Sequence, residues 1–266
     1  MIIQSLKLVC FSPTGSTKAI AQSIAKGVNI ELVKLYDITK PRARENFIET
    51  RENELLIVSV PVYMGRVPAI INKWLQNIES HKTPVVCVVV YGNRTYGNAL
   101  LELKDILTGK GCIPVAGASF IGEHSFSSTE LPIAKSRPNA GDLECAENFG
   151  KKIIEKLQSV QSVEEITKIN IPGNSPYGGV TELWSVDFIA ISDKCTKQGI
   201  CAEVCPTGAI NLENSNIIDK EKCISCCACI KNCPENARSI KDSKVKEAAI
   251  RLNSLFREPK MPEMFC

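Results

Sequence analysis

The chain has 266 residues, of which 44% are hydrophobic and 23% charged, and this composition is typical of globular proteins. A net charge of +3 is too small to indicate nucleic acid or a charged membrane surface as a partner, and two histidines leave little acid–base chemistry near neutral pH. No apolar run reaches the roughly 18 residues that a membrane-spanning helix requires, and no signal-peptide pattern opens the chain, so we expect a soluble, cytoplasmic protein.

Strand and helix patterns alternate from the N-terminus to about residue 160. Short apolar runs predict five strands, in LKLVCF, IELVKLYDI, ELLIVSVPVY, TPVVCVVVY and CIPVAGASF. Helical spacing is found in TKAIAQSIAKGV and near residues 41–52, 68–79, 96–108 and 140–159. Continuous Val and Ile runs indicate strands that are buried on both faces. The pattern therefore predicts an α/β fold with a doubly wound, five-stranded parallel sheet.

The loop after the first predicted strand, SPTGST, is a candidate phosphate site. Its hydroxyl groups and its glycine surround the start of a helix, whose free N–H groups and dipole attract anions. Neither GKS, GKT nor GxGxxG occurs in the chain, so we expect one phosphate rather than two or three. An ordinary Ser/Thr-rich N-cap turn is the alternative. The candidate residues are Ser12, Thr14, Gly15, Ser16 and Thr17.

Two further loops, PVYMGRVP and YGNRTYGN, follow later strands at the same carboxyl edge, where open α/β sheets bind ligands. Tyr63 in the first loop, and Tyr91 or Tyr96 in the second, offer an aromatic face to a flat ring, and glycines let backbone N–H groups approach its edge. These features suit an isoalloxazine. Together with SxTGxT after the first strand, these loops resemble the cofactor-binding loops of a flavodoxin. The resemblance implies ring-binding residues at Pro61, Val62, Tyr63, Met64, Gly65, Gly92, Asn93, Arg94, Tyr96, Gly97 and Asn98.

His124 lies beyond the fifth predicted strand, in IGEHSF. Two roles are open for a histidine at this edge of the sheet. Either it neighbours the flavin and stabilises the negative charge of the reduced ring, or it hydrogen-bonds a loop.

Two cysteine runs, CTKQGICAEVCP and CISCCACIKNCP, lie between residues 195 and 234. The second is a complete CxxCxxCxxxCP iron–sulfur signature, whose last cysteine ligates the other cluster of a pair. The ligand sets therefore interleave. One cubane is expected on Cys205, Cys223, Cys226 and Cys229, and a second cluster on Cys195, Cys201 and Cys233. Structural zinc on some of these thiolates is the competing interpretation.

Gln198 stands where the second set would have its fourth cysteine. A neutral amide is a poor substitute for a thiolate on iron. We therefore expect a 3Fe–4S cluster, or a 4Fe–4S cluster whose fourth iron takes a solvent or substrate ligand. Cys227 is either a spectator thiol or a replacement ligand at this corner.

With both sets of motifs in view, the chain resembles a fusion of a flavodoxin with a bacterial-type ferredoxin, as found in anaerobic bacteria and archaea. SxTGxT is the flavodoxin phosphate loop, and CPTGAI against CPENARSI displays the ferredoxin internal repeat. The resemblance covers about residues 5–160 and 187–241. It implies a flavodoxin-like FMN-binding domain at 1–160, a linker at 161–186, a two-cluster ferredoxin-like α+β domain at 187–241, and a C-terminal helix and tail at 242–266.

The resemblance implies an electron-transfer protein that carries FMN, one 4Fe–4S cluster and a second cluster, and that exchanges electrons with protein redox partners. An FMN-dependent reductase of a small acceptor, acting at the flavin or at the cluster beside Gln198, is the alternative. An iron–sulfur sensor would need a nucleic-acid or regulatory surface, which the low net charge does not indicate.

Overall fold

The computed structural model describes residues 1–179 and 185–266, so residues 180–184 of the predicted linker lie outside the described residues. The strands are β1 (Ser5–Cys10), β2 (Val33–Asp37), β3 (Ile48–Arg51), β4 (Glu54–Pro61), β5 (Ile78–His81), β6 (Pro84–Tyr91), β7 (Ile113–Ile121), β8 (Ile189–Ile191), β9 (Arg238–Ile240) and β10 (Glu263–Phe265). The α-helices are α1 (Ser16–Val28), α2 (Ala69–Leu75), α3 (Ala99–Gly109), α4 (Ala140–Gln158), α5 (Ile200–Glu203), α6 (Ala228–Lys231) and α7 (Lys244–Leu255).

Six strands form the central sheet, in the order β10-β7-β6-β4-β1-β2. All neighbours from β7 to β2 are parallel. Numbered among themselves, these parallel strands follow the order 2-1-3-4-5, which is that of a flavodoxin-like doubly wound sheet. The predicted fold class is therefore confirmed.

The sheet has one strand more than the prediction. β10 pairs antiparallel with β7, and Met264 lies opposite Ala118 in this ladder. The tail of the chain thereby covers the edge of the sheet that β7 would otherwise expose. A three-residue strand is too short for a period-two pattern, so no local pattern predicts it.

The helix predicted over residues 41–52 is wrong. This segment contains a 3₁₀-helix, Pro41–Glu45, followed by β3. β3 alternates buried Ile48 and Thr50 with exposed residues, and it pairs in parallel with β5 in a separate two-stranded sheet. The β-branched residues Ile48 and Thr50 alternate as in a strand, but the polar residues beside them make this pattern hard to recognise in the sequence.

The central sheet is buried on both faces. Along β1, Leu6 and Leu8 pack with α1 and α4, whereas Val9 packs with α2 and α3 on the opposite face. This division follows from the period of two in a strand, and it explains the near-continuous apolar runs of β4 and β6. Both layers of helices leave the carboxyl ends of the strands free for loops.

The C-terminal unit has its own small core. β8 and β9 form an antiparallel pair, and α5 and α6 are single-turn helices that carry cysteines. Phe188 and Val245 are buried in this core, so α7 contributes to the same unit. None of the helices in the described part of the chain is both long and apolar enough to cross a bilayer.

Helices α1 and α4 pack so closely that glycine is required at their contact. A Cβ at Gly150 would lie 2.2 Å from the Ile24 carbonyl oxygen, and a Cβ at Gly27 would lie 1.8 Å from the Glu147 carbonyl oxygen. Backbone atoms cannot move aside as a flexible side chain does, so any added methyl group must separate the helices.

We expect Gly150→Ala to lower the free energy of unfolding by about 1–3 kcal/mol, because the extra methyl overpacks the helix contact. Gly109→Ala at the end of α3 is the matched control, since no atom lies within 4 Å of a Cβ there and alanine favours the helix. Denaturant titration of both variants measures the difference. Equal stabilities would contradict the close approach of α1 and α4.

Candidate functional site

The two cysteine runs adopt the same backbone conformation, with each residue of the first run matched by the residue 28 positions later. Lys197 and Ser225 both have positive φ, at 57° and 54°, as do Gly208 and Asn236, at 64° and 49°. The Ala209 N–H donates to Cys205 Sγ at 3.3 Å, and the Ala237 N–H donates to Cys233 Sγ at 3.3 Å. The internal repeat is therefore structural as well as sequential.

The cysteines line two separate cavities. One cavity is bordered by Cys205, Cys223, Cys226, Cys227 and Cys229. The other is bordered by Cys195, Cys201 and Cys233, together with Gln198 and Arg238. Each cavity thus collects cysteines from both runs, as interleaved ligand sets require.

Within residues 1–179 and 185–266, no group of three or more His, Cys, Asp or Glu side chains has the arrangement to hold a single metal ion.

Cys227 lies in the first of these cavities and not beside Gln198. It occupies the left-handed N-cap of α6, with φ 57°, where the repeat has Gly199 with φ 77°. Its thiol is buried and contacts the Ser225 carbonyl at 3.7 Å. The structure therefore separates Cys227 from the corner that Gln198 occupies.

Burial raises the pKa of two thiols at the first cavity. It raises the pKa of Cys229 to about 12, partly offset by the positive charge of Arg238, and raises the pKa of Cys226 still further. These two thiols are consequently protonated at neutral pH when no metal is bound. Because iron binds cysteine as the thiolate, loading of iron at this site would release protons.

The SPTGST loop forms an open cradle at the start of α1. Gly15 caps the helix with φ 90°, and nothing lies within 4 Å of a Cβ at that position. The Ser12 hydroxyl accepts the Lys18 N–H at 3.0 Å, whereas helix geometry leaves the Ser16 and Thr17 N–H groups without intrahelical acceptors. Open space and free N–H groups fit a phosphate. Ser12, Thr14 and Ser16 are partly exposed, Gly15 is exposed and Thr17 is buried.

The loop after β4 is a tight turn with a buried anchor. Tyr63 and Arg66 exchange backbone hydrogen bonds at 3.0 Å, with Met64 and Gly65 in left-handed conformations at its tip. The Arg66 guanidinium pairs with both carboxylate oxygens of buried Glu102 at 2.8 Å. Pro61 ends β4, and the Val62 N–H extends the ladder to the Val90 carbonyl at 2.9 Å. The anchor fixes the position of Tyr63 relative to α3.

The loop after β6 lies against the turn that Tyr63 opens. The Asn98 N–H donates to the Gly65 carbonyl at 2.9 Å. A Cβ at Gly97 would lie 2.8 Å from the same oxygen, and Gly97 has φ 55°. The short distance and the positive φ both favour glycine at position 97. The backbones of the two candidate ring-binding loops are therefore in direct contact.

Two side chains of the second loop bind the C-terminal tail. Asn93 Nδ2 donates to the Phe256 and Glu258 carbonyls at 2.9 Å, and its Oδ1 accepts the Lys260 N–H at 3.0 Å. The Tyr96 hydroxyl donates to Glu263 at 2.8 Å. These contacts leave backbone groups, rather than the two side chains, to face a ligand. Arg94 is exposed in the same loop.

His124 packs directly on this loop. A Cβ at Gly92 would lie 2.3 Å from His124 Cδ2, so only glycine fits there. His124 Nδ1 accepts the Phe126 N–H at 3.1 Å, which assigns the ring proton to Nε2. Burial, with smaller contributions from the charges of Lys231 and Arg94, lowers the pKa of His124 to about 4. The ring is therefore neutral at physiological pH.

The loop after β4 also faces the cysteine run. Burial raises the pKa of Tyr63 well above its usual value, and the thiols of Cys226, Cys227 and Cys223 add to this shift. Ile224, within the iron–sulfur signature, packs against the core of the central sheet. The first cysteine cavity and the candidate ring-binding loop are thus neighbours.

Polar contacts hold the C-terminal unit on the carboxyl edge of the sheet. Lys231 of α6 donates to Glu123 Oε1 at 2.6 Å and to the Ser127 carbonyl at 2.7 Å. Arg44 donates to the carbonyl of Pro206 at 2.5 Å, and Pro206 directly follows Cys205 of the first cysteine run. Neither contact was predicted from the sequence.

Residues 216–239 match the family described as 4Fe-4S binding domain. The chain is also 29% identical over 77 residues to the thiosulfate reductase electron transfer subunit PhsB of Salmonella typhi, a match that covers 28% of this chain and 40% of that subunit. A flavodoxin from the domain Archaea is similar in structure, with 17% identity, TM-score 0.40, and coverage of 58% of this chain and 99% of the other. A flavodoxin of Streptococcus pneumonia TIGR4 has 15% identity and TM-score 0.40, covering 57% and 98% of the two chains.

The strand order and the 4Fe–4S domain together define the class of protein: an electron-transfer protein that joins a flavodoxin-like sheet to a ferredoxin-type unit.

Two residues of the site escaped the sequence analysis. Glu102 gives no signal in a helical pattern, because only the tertiary structure brings it to Arg66. Arg238, by contrast, follows CPENA where the first run has isoleucine after CPTGA, and comparison of the two halves would have revealed it.

We expect stability to fall as the pH falls from 7 to 5. Because the pKa of His124 is about 4 in the folded protein and 6.5 when unperturbed, the unfolded state takes up more protons across this window. His124→Gln should remove about 1–2 kcal/mol of this pH dependence. Denaturation of the anaerobic holoprotein at both pH values measures it. His81→Gln, at the exposed second histidine, is the control, and an unaltered slope in His124→Gln would refute the assignment.

Proposed function

We propose that this protein transfers electrons between an FMN and two iron–sulfur clusters within one chain. FMN would supply a group that takes part in both two-electron and one-electron reactions, and the clusters would carry single electrons. The chain contributes position, hydrogen bonds and burial, which set the reduction potentials.

One observation carries this proposal: the loop of Tyr63 faces the cysteine run of the first cavity. Burial is the main cause of the raised pKa of Tyr63, and the nearby thiols of Cys223, Cys226 and Cys227 add to it. Ile224, within this run, packs against the same core as Val62 of the loop. A flavin bound at this loop would therefore lie beside a cluster in the first cavity. Proximity of this kind favours transfer inside the molecule over transfer between molecules.

The residues at the carboxyl edge suit each part of FMN. The N–H groups of Ser16 and Thr17, with the hydroxyls of Ser12 and Thr14, would hold the phosphate at Gly15. Tyr63 and the glycine-rich contact of Gly65 with Gly97 would border the ring, and neutral His124 would offer its Nε2 proton as a hydrogen-bond donor.

The cysteines suit two unequal clusters. Cys205, Cys223, Cys226 and Cys229 would bind a complete 4Fe–4S cluster. Cys195, Cys201 and Cys233 would bind a 3Fe–4S cluster, or a 4Fe–4S cluster with one solvent-ligated iron. Gln198 is exposed and its Nε2 lies 3.4 Å from Glu235 Oε1, an arrangement that suits a solvent-accessible corner.

The proposed organisation keeps the predicted boundaries. Residues 1–160 would bind FMN, 161–186 would connect the units, 187–241 would bind both clusters, and 242–266 would return to the flavodoxin-like unit. The proposal includes protein redox partners, a cytoplasmic setting and an anaerobic host.

A second candidate is an FMN-dependent reductase of a small anionic acceptor. A cleft of about 630 Å³ borders Asn93 beside the second ring-binding loop. Lys135 and Arg257 contribute positive charge to its walls, whereas the charge of Arg137 is paired with Asp142. Its volume is that of a small-molecule site. Catalytic consumption of small acceptors by the reduced protein would favour this function, whereas reduction of protein acceptors alone would favour the carrier.

We expect Thr14→Val to weaken FMN binding about 10- to 100-fold, because it removes a hydroxyl that would donate to a charged phosphate. Titration of the flavin-depleted protein with FMN, followed by quenching of flavin fluorescence, measures this. Thr108→Val is the control, because the Thr108 hydroxyl binds the Lys104 carbonyl on α3, away from the loop. Unchanged FMN affinity in Thr14→Val would count against the phosphate assignment.

Electron exchange between flavin and clusters should be first order and independent of protein concentration. After a light pulse reduces the flavin anaerobically, transient absorption should follow its reoxidation by the clusters. Lys231→Gln should slow this step, because Lys231 holds the two units together. Lys241→Gln removes an equivalent charge that pairs with Asp187 inside the C-terminal unit, and should have no effect. A rate proportional to protein concentration would exclude transfer within the chain.

A further inference from the structure

Arg238 is a buried cation without an anionic partner in the described part of the chain. Its side chain enters the C-terminal unit from β9, and the residue is only 4% exposed. One terminal nitrogen donates to the Ser215 carbonyl, whereas the other, NH1, has no hydrogen-bond acceptor among the described residues. The arginine ion pairs among the described residues are those of Arg51, Arg66 and Arg137. The carboxylate that lines the same cavity, Glu235, is exposed and lies 3.4 Å from Gln198 Nε2. Burying an uncompensated guanidinium is strongly unfavourable, so this position calls for a negative charge from elsewhere.

The cavity beside Arg238 is the one that has three cysteines. Arg238 lines it together with Cys195, Cys201, Cys233 and Gln198. The proposed occupant, an iron–sulfur cluster held by thiolates, is anionic. An anionic cluster would therefore satisfy both the charge and the vacant donor of the guanidinium.

The two halves of the repeat differ at this position. Arg238 corresponds to Ile210 in the first run, and Ile210 lines the four-cysteine cavity. Ile210 is buried to the same degree, at 4% exposed, but it brings no charge. The site with fewer thiolates thus gains a cation, while the site with four thiolates has an apolar wall. Both differences reduce the negative charge at the cavity beside Gln198. Glu235, which stands where the first half of the repeat has Thr207, adds a carboxylate there, but it is exposed, so solvent screens its charge.

We propose that Arg238 is the counter-charge of the cluster at Cys195, Cys201 and Cys233, and that it raises the reduction potential of this cluster above that of its neighbour. This inference rests on the proposed function and deepens it. A fixed positive charge stabilises the reduced, more negative state of a cluster, and the low dielectric of a buried site strengthens the effect.

The charge difference gives electron flow a direction. A cluster in the four-cysteine cavity would lie beside the loop of Tyr63, and a cluster in the other cavity would lie next to exposed Lys197 and Gln198. In a transfer between them, the four-cysteine site would give up one electron and the site of Arg238 would take up that electron. No proton or bond is exchanged. Electrons from the flavin would collect at the solvent-facing cluster, where a protein acceptor would take them.

The test is an anaerobic redox titration of the holoprotein, with each cluster followed by EPR. In Arg238→Gln, the ratio of reduced to oxidised cluster at a fixed potential should fall at least tenfold at the three-cysteine site, which is about 59 mV for a one-electron couple. The charge of Arg238 also reaches Cys229 of the four-cysteine set, but Arg238 does not line that cavity, so the four-cysteine cluster should shift less. Arg238→Lys retains the charge and should restore most of the wild-type potential.

Lys197→Gln is the matched control, because Lys197 lines the same cavity but is exposed, where solvent screens its charge. Wild-type potentials in Arg238→Gln, or equal shifts at both clusters, would overturn the inference. If Arg238→Gln loses the cluster, the reduction potential of Arg238→Lys is compared with the potentials of wild type and of Lys197→Gln. An Arg238→Lys potential that differs from both would refute a role of the charge. Wild-type protein without flavin or clusters would instead refute the proposed function itself.

Discussion

The common direction of the parallel strands is the constraint on which the rest of the structure depends. Because β1, β4 and β6 run the same way, the loops that follow them meet at one edge of the sheet. Covering helices bury both faces and leave only this edge open. Three segments that are far apart in sequence thereby form one candidate site, and the C-terminal unit packs on the same edge through Lys231 and Arg44.

The contacts between the two units are polar at their margin and apolar near their centre. Lys231 and Arg44 donate to oxygen atoms across the boundary, while Phe126 and Ile224 each pack into the core of the opposite unit. The tail adds a further connection, because Asn93 binds three of its backbone groups and β10 joins the sheet. These contacts hold the candidate ring-binding loop against a cysteine run, which a flexible tether would not achieve.

The ferredoxin-type unit is a repeat whose halves have diverged where charge matters. Its backbone keeps the positive φ angles and the N–H···S hydrogen bonds in both halves. Among the positions that differ, Gln198 stands where the second half has Cys226, and Arg238 stands where the first half has Ile210. A shared backbone with different charges at these positions would give the two sites different potentials without a change in architecture.

The sequence by itself determined the parallel sheet, the loops at its edge and the cysteine spacing, because buried strands and metal ligands impose periodic or fixed patterns on neighbouring residues. It did not determine the strand identity of Ile48–Arg51 or of Glu263–Phe265, since short strands depend on distant partners such as β5 and β7. Tertiary structure alone decided that Glu102 anchors Arg66, that the tail engages Asn93, and that Tyr63 faces the cysteines. The physical reason is that such contacts join residues far apart in the chain, and their energies depend on burial and distance that no local pattern records.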